Sequence, residues 1–214
     1  MSAKLAVLFL FMTVGFAMPV LLGIRQISDI QLPNWHTGYQ PEQPISYSHR
    51  LHAGYLNIDC QYCHVGVEES RHATIPNLQT CMNCHELVQG QTEEAKKNIS
   101  KLNEAWANGK GEGVTWKRVH NNPDFVYFSH MTHVRIATYV DDNGKQRTDE
   151  TGAAIKGIDC LVCHGDMKKV GVGVQYQNLT MGWCLNCHRD QNERQGKLGM
   201  AQRAPVNACD ACHR

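Results

Sequence analysis

All ten cysteines of this chain fall inside five Cys-x-x-Cys-His pentapeptides. They run from Cys60 to His64, Cys81 to His85, Cys160 to His164, Cys184 to His188 and Cys209 to His213, with thiols at Cys60, Cys63, Cys81, Cys84, Cys160, Cys163, Cys184, Cys187, Cys209 and Cys212. This is the attachment signature of c-type haem. Two thiols spaced by two residues add across the two vinyl groups of one porphyrin from a single turn. The histidine that follows is then placed under the iron as its proximal ligand. A chain of this kind is expected to fold around five covalently bound haem c groups, with His64, His85, His164, His188 and His213 on the irons.

Zinc ribbons and disulfides are the competing readings. The gaps of 17 residues between Cys63 and Cys81 and 20 between Cys163 and Cys184 suit a four-cysteine zinc site. Neither alternative calls for a histidine after every second cysteine. No cysteine is left over for a reactive thiol. The composition, 42% hydrophobic and 7% aromatic, is thin for a chain with a membrane segment, so porphyrin faces are expected to replace side chains in the core. The formal charge of +1 says little about partners.

Leu5 to Ile24 form an apolar run without a charge, flanked by Lys4 and Arg25. As a helix it would reach about 30 Å, the thickness of a hydrocarbon core. A cleaved signal peptide with Gly15-Phe16-Ala17 as its small-x-small site is the alternative. The apolar stretch runs past that site, which favours an uncleaved anchor over residues 1–25, with Pro19 as a kink. Haem attachment outside the cytoplasmic membrane then sets the orientation, single-pass with the haem head on the periplasmic side.

Residues 26–45 hold three of the seven prolines and read as an extended connector. After it one pattern occurs twice. Tyr47-Ser48-His49-Arg50-Leu51-His52 precedes Asn57-Ile58-Asp59-Cys60, and Phe128-Ser129-His130-Met131-Thr132-His133 precedes Gly157-Ile158-Asp159-Cys160. The expected organisation is a first haem module over 46–92 with two haems, a linker helix and Gly-rich loop over 93–118, and a second module over 119–214 with three. The linker helix is expected over Glu93 to Asn108, with Ile99, Leu102 and Trp106 on one face. Asp141-Asp142-Asn143-Gly144 signals a turn within the second copy. The rest reads as short helices and loops: mostly α and irregular, with little β.

Seven histidines lie outside the motifs: His36, His49, His52, His72, His120, His130 and His133. Two at i and i+3 share one face of a helical turn, so one turn can serve two irons. His49 and His130 are expected to cap the haem of the motif that follows each, and His52 and His133 the next, at His85 and His188. For the iron at His213 the candidates are His120, then His72, with Met181 or Met200 as sulfur alternatives that would raise its potential. His36 reads as structural. No residue is expected to act as nucleophile or general base.

The paired-histidine modules resemble the multihaem cytochrome c3/c7 class, a class III-type head. The longer stretches Ile75-Pro76 to Cys81-Met82-Asn83-Cys84-His85, Val119 to His130 and Leu179-Thr180-Met181-Gly182-Trp183-Cys184 are similar to the pentahaem cytochrome c subunits of alternative complex III. Asn122 stands where that motif carries leucine. The resemblance, which covers nearly the whole chain, implies an electron-transfer subunit and not an independent enzyme. Its implied partners are iron–sulfur and polytopic quinol-binding subunits in the membrane, and a monohaem cytochrome or terminal oxidase as acceptor. The alternative is a self-sufficient, membrane-anchored quinol dehydrogenase. Such enzymes keep their first haem near the membrane, whereas about 35 residues separate Ile24 from Cys60 here, enough extended chain to place that haem well clear. A catalytic reductase of the nitrite type would use a Cys-x-x-Cys-Lys motif, and the sequence has none.

Overall fold

In a computed structural model of the chain, the structure describes residues 37–108, 113–146, 148, 151–154 and 157–213. They belong to one unit running from Asn34 to Arg214. The expected anchor at 1–25 and the first part of the connector lie outside the described residues. Among those described, no helix is long and apolar enough to cross a membrane.

Five α-helices are present among the described residues: α1 (Cys60–Cys63), α2 (Leu78–His85), α3 (Glu93–Asn108), α4 (Cys160–His164) and α5 (Met181–Lys197). All but α3 carry an attachment motif. Each of those four starts on a side-chain cap, which satisfies one of the amide donors that a helix start leaves open. Asp59 accepts from the Gln61 amide at 2.8 Å, Asn77 from Thr80 at 2.9 Å, Asp159 from Leu161 at 2.8 Å and Thr180 from Trp183 at 3.3 Å. The fifth motif differs. It forms only a 3-10 turn, Cys209–Ala211, behind Ala208, which has no side chain to cap with.

The described residues contain no strand, only isolated antiparallel bridges at Val126–His213, Val140–Gln146 and Thr148–Ala154. The second of these closes the expected turn. Asp141 Oδ1 accepts from the Asn143 and Lys145 amides, and Gly144 takes the positive φ of 72°.

α3 is amphipathic and places Glu93 and Glu94 at its positive N-terminal end. It buries Leu102 and is tied to the connector by Lys101 Nζ donating to the Pro44 carbonyl and Asn98 Oδ1 accepting from the Ser46 amide. Apolar burial is sparse. Among the described residues the buried hydrophobic side chains are Val67, Met82, Leu102 and Val140, beside the polar Ser129, Gln175, Gln191 and Gln195. Few side chains, therefore, hold this fold by burial alone.

Candidate haem sites

The twice-occurring sequence pattern folds twice into the same object. Tyr47 stacks on His52 (centroids 4.4 Å, planes 22° apart) and meets His49 edge-on at 5.0 Å. Phe128 stacks on His133 (4.5 Å, 27°) and meets His130 edge-on at 4.9 Å. Ser48 and Ser129 each take the amide three residues on with their hydroxyl oxygens. Each turn is wider than the α-turn that i, i+3 spacing assumes. It closes from Leu56 N–H to the Leu51 carbonyl, and from Ala137 N–H to the Thr132 carbonyl, five residues apart. The backbone then needs a left-handed residue before Ile-Asp-Cys, and Asn57 (φ 51°) and Gly157 (φ 95°) are the residue types that tolerate it.

These turns bring ring pairs to a telling distance. His52 faces His85 at 6.1 Å between centroids, His133 faces His188 at 6.1 Å and His130 faces His164 at 6.4 Å. A metal–imidazole bond is about 2.0 Å and each ring nitrogen sits about 1.2 Å from its ring centre, so two imidazoles on one metal stand about 6.4 Å apart. The pairs match that span.

The rings are also oriented for it. Nδ1 lies against a backbone carbonyl in five of these rings and in His64: His52 on Ser48 (2.9 Å), His133 on Ser129 (2.8 Å), His130 on Arg71 (2.8 Å), His85 on Val88 (3.0 Å), His188 on Pro205 (2.7 Å) and His64 on Thr74 (2.6 Å). A carbonyl can only accept, so Nδ1 carries the proton and Nε2 keeps its lone pair for a metal. Thr74 holds its carbonyl there at φ 66°, costly for a β-branched residue and a sign of a functional constraint.

His49 and His64 interact electrostatically. Burial first, then His64, pushes the His49 pKa down. His164 sits among His120, His130, His64 and His49; burial and those neighbours push it down to about 3. The structure places His120 edge-on against His164 at 4.7 Å and 81°, too close for one metal to stand between the two rings. Its Nε2 is buried without a hydrogen-bond partner, as is His49 Nδ1. Burial pushes His120 down to about 4. His72 lies within electrostatic reach of His130. The ring standing beside His213 belongs to Phe125, at 5.9 Å. Met181 is 59% exposed at the start of α5, and the Met200 amide closes its end on the Gln195 carbonyl. His36 lies outside the described residues.

The donor set fits haem c. None of the ten thiols is in a disulfide. Among the described residues no three His, Cys, Asp or Glu side chains converge as a bare metal ion requires. A cavity of about 660 Å³ opens beside Cys81, lined by Ile75, Leu78, Leu102, Trp106 and Trp116, the kind of apolar surface a porphyrin face needs.

Residues 56–214 match the family described as outer membrane cytochrome MtrC/MtrF-like, domains II/IV. The chain belongs to this multihaem cytochrome c family. As an MtrC/MtrF-like cytochrome it carries covalently bound haem c and serves electron transfer. It is also 27% identical, over 185 residues, to the multihaem cytochrome c subunit of menaquinone reductase from Nitratidesulfovibrio vulgaris, covering 82% of this chain and 78% of that one. The sequence singles out the histidines but not the buttresses: Tyr47 and Phe128, the carbonyls under each Nδ1, and Phe125. The aromatic five residues before the second histidine in both copies was the available signal for the first two.

Proposed function

We propose that this chain is the electron-relaying pentahaem subunit of a quinone-linked membrane complex of the alternative complex III kind. The observation that carries the reading is the set of histidine pairs at 6.1–6.4 Å. An iron bound between such a pair would have no open position for a substrate, which suits relay and not catalysis. Bound haem supplies a one-electron couple. The chain's residues anchor it through ten thiols, orient each ligating ring through a carbonyl and set polarity around it.

In this reading five haems sit on His64, His85, His164, His188 and His213. His49, His52, His130 and His133 face the first four. His72 and His120 are the described histidines left as nitrogen donors for the fifth. Residues 1–25 anchor the chain in the cytoplasmic membrane, and the two modules stand outside it. The partners are iron–sulfur and polytopic quinone-binding subunits on one side and a monohaem cytochrome or terminal oxidase on the other. The similarity to a menaquinone reductase subunit supports the quinone link.

The test is purification through a tag on this chain from gently solubilised membranes, followed by addition of a menaquinol analogue. Co-purified iron–sulfur and polytopic subunits, with haem reduction that depends on them, is the expected result. A chain that arrives alone and is reduced directly would instead be a self-sufficient quinol dehydrogenase.

A further inference from the structure

We propose that the five attachment motifs lie along one unbranched line in an order that is not the order of the sequence: Cys81–His85, then Cys60–His64, Cys160–His164, Cys184–His188 and Cys209–His213. The order rests on reading the motifs as haem sites, and on nothing about which complex the chain serves.

Each link has its own contacts. Between the motifs at His85 and His64, one ring, Tyr47, touches both His52 and His49, and His52 faces His85. Two residues from inside the motifs also meet, Asn83 Nδ2 donating to Tyr62 Oη at 3.2 Å. The Cys63 side chain also lies within electrostatic reach of Cys81.

Between the motifs at His64 and His164 the two modules join. His130 reaches back to Arg71 through both its amide and its ring, while the amides of His49 and Arg50 donate to the Gly171 and Val170 carbonyls. The Cys160 and Cys60 side chains lie beside each other across this crossing. The same crossing occurs at Lys168, whose Nζ donates to Asn57.

Between the motifs at His164 and His188, Phe128 repeats the part of Tyr47, touching His130 and His133 while His133 faces His188. The Cys163 side chain lies within electrostatic reach of Cys187 and Cys184.

The last link joins His188 to His213. The segment leading into the fifth motif is pinned to α5 by His188 Nδ1 on Pro205 and by two bonds between Asn192 and Ala204, at 2.9 and 3.1 Å. The Cys212 and Cys184 side chains lie within electrostatic reach of each other. Tyr127 N–H donates to the Cys212 carbonyl, holding the fifth motif against the segment that carries Phe128.

The chain's second motif is thus an end of the line and its first motif is interior. The two places where a partner's redox centre would meet this subunit are the surfaces over Cys81–His85 and over Cys209–His213, roughly the ends of the two modules.

The deciding experiment is a cryo-electron-microscopy structure of the holoprotein in its native complex, with each iron assigned by its own cysteine pair. The expected result is that the iron on His64 has as neighbours the irons on His85 and His164, and that those on His85 and His213 have one neighbour each. An iron on His64 at an end of the line, or one on His85 next to His188 or His213, overturns the order. The map separates this from the functional reading. The expected order in a complex that does not react with quinone rejects the relay role alone; a different order in a complex that does rejects the order alone.

Discussion

The two histidine-pair segments share both ends and differ in the middle. In the first, the turn Arg50–Tyr55 is followed by only Leu56 before the left-handed Asn57. In the second, about twenty residues intervene between the turn Thr132–Ile136 and Gly157, yet Gly157 N–H bonds the Ala137 carbonyl and closes the insertion at its base. Beyond that point the copies coincide again. Ile58 N–H meets the His52 carbonyl at 2.9 Å and Ile158 meets that of His133 at 2.8 Å. Lengthening a loop costs little once its ends are joined, each doubling about 0.6 kcal/mol. The difference teaches that aromatic, histidine pair, left-handed residue and Asp cap together set the geometry of the paired rings, and that the chain between them is free to take on other work.

The largest way to break the comparison is to remove a site. On the proposed reading of five haems, the double substitution Cys160→Ser with Cys163→Ser should remove one, read as a one-fifth fall in the haem-to-protein ratio by pyridine haemochrome. Because Cys160 contacts Cys60 across the module junction, the remaining haem spectra should also shift. The matching change at Cys209 and Cys212 should lower the ratio equally and leave the first module's signals in place. Equal spectral disturbance from both variants would contradict the junction. A narrower probe is His130→Ala, which should keep its haem attached and convert one low-spin bis-histidine signal in paramagnetic resonance; an unchanged count would refute the ligand assignment there.

Next in size is the left-handed residue. A Cβ on Gly157 would overlap the Val134 carbonyl oxygen at a φ of 95°. Gly157→Ala should therefore cost about 3 kcal/mol or more in urea unfolding of the holoprotein. Asn57 already carries a side chain at φ 51°, so Asn57→Ala should cost only about 1 kcal/mol. Similar losses at the two positions would mean that they are not equivalent.

The insertion's own work is docking on α5. Val140 is fully buried, its N–H donating to Gln191 Oε1 and its carbonyl accepting from Gln191 Nε2 and Arg194 Nη1. Gln195 Nε2 takes the Thr138 carbonyl at 2.7 Å. Gln191→Ala strands the Val140 amide without a partner and should cost about 2 kcal/mol. Gln191→Glu should recover part of it, because a carboxylate oxygen still accepts from that amide. The first copy, having no insertion, has no counterpart to this change.

These contacts mark the limit of what the sequence made legible. The motifs, the repeat and α3 could be read because each is a local pattern: a spacing, a histidine pair, an apolar stripe ending at Trp106. The thin apolar core was legible too, from composition. Gln191 and Gln195 were not, since two glutamines on a helix read as a solvated face and their partners lie 51 and 57 residues away. The wide turn was hidden for a similar reason: a histidine pair at i and i+3 suits an ordinary α-turn, and only the backbone bond to the fifth residue reveals the wider one. His120 was expected at His213. Here its ring packs edge-on against His164 and Phe125 stands beside His213, placements made by packing within the second module and not by the residues flanking His120.

The smallest effect separates the four capped motifs from the fifth. Asp59→Ala and Asp159→Ala each remove a side-chain acceptor from the first turn of an attachment helix and should cost about 1 kcal/mol. The two should be alike, because the bonds are alike at 2.8 Å and both caps are extended, with ψ 145° and 140°. Ala208 is already in the extended region at φ −91° and ψ 90°, but lacks an acceptor. Ala208→Asp should thus stabilise the fifth motif, by about 0.5 kcal/mol, the low end of the cap range, since a single 3-10 turn offers fewer aligned amides than a helix. Hydrogen exchange at the Asp210 and Ala211 amides would report it, as a roughly twofold slowing confined to that turn. No slowing there, with Asp59→Ala and Asp159→Ala both destabilising, would mean that the backbone bond from Cys212 N–H to the Cys209 carbonyl already supplies what a cap could add.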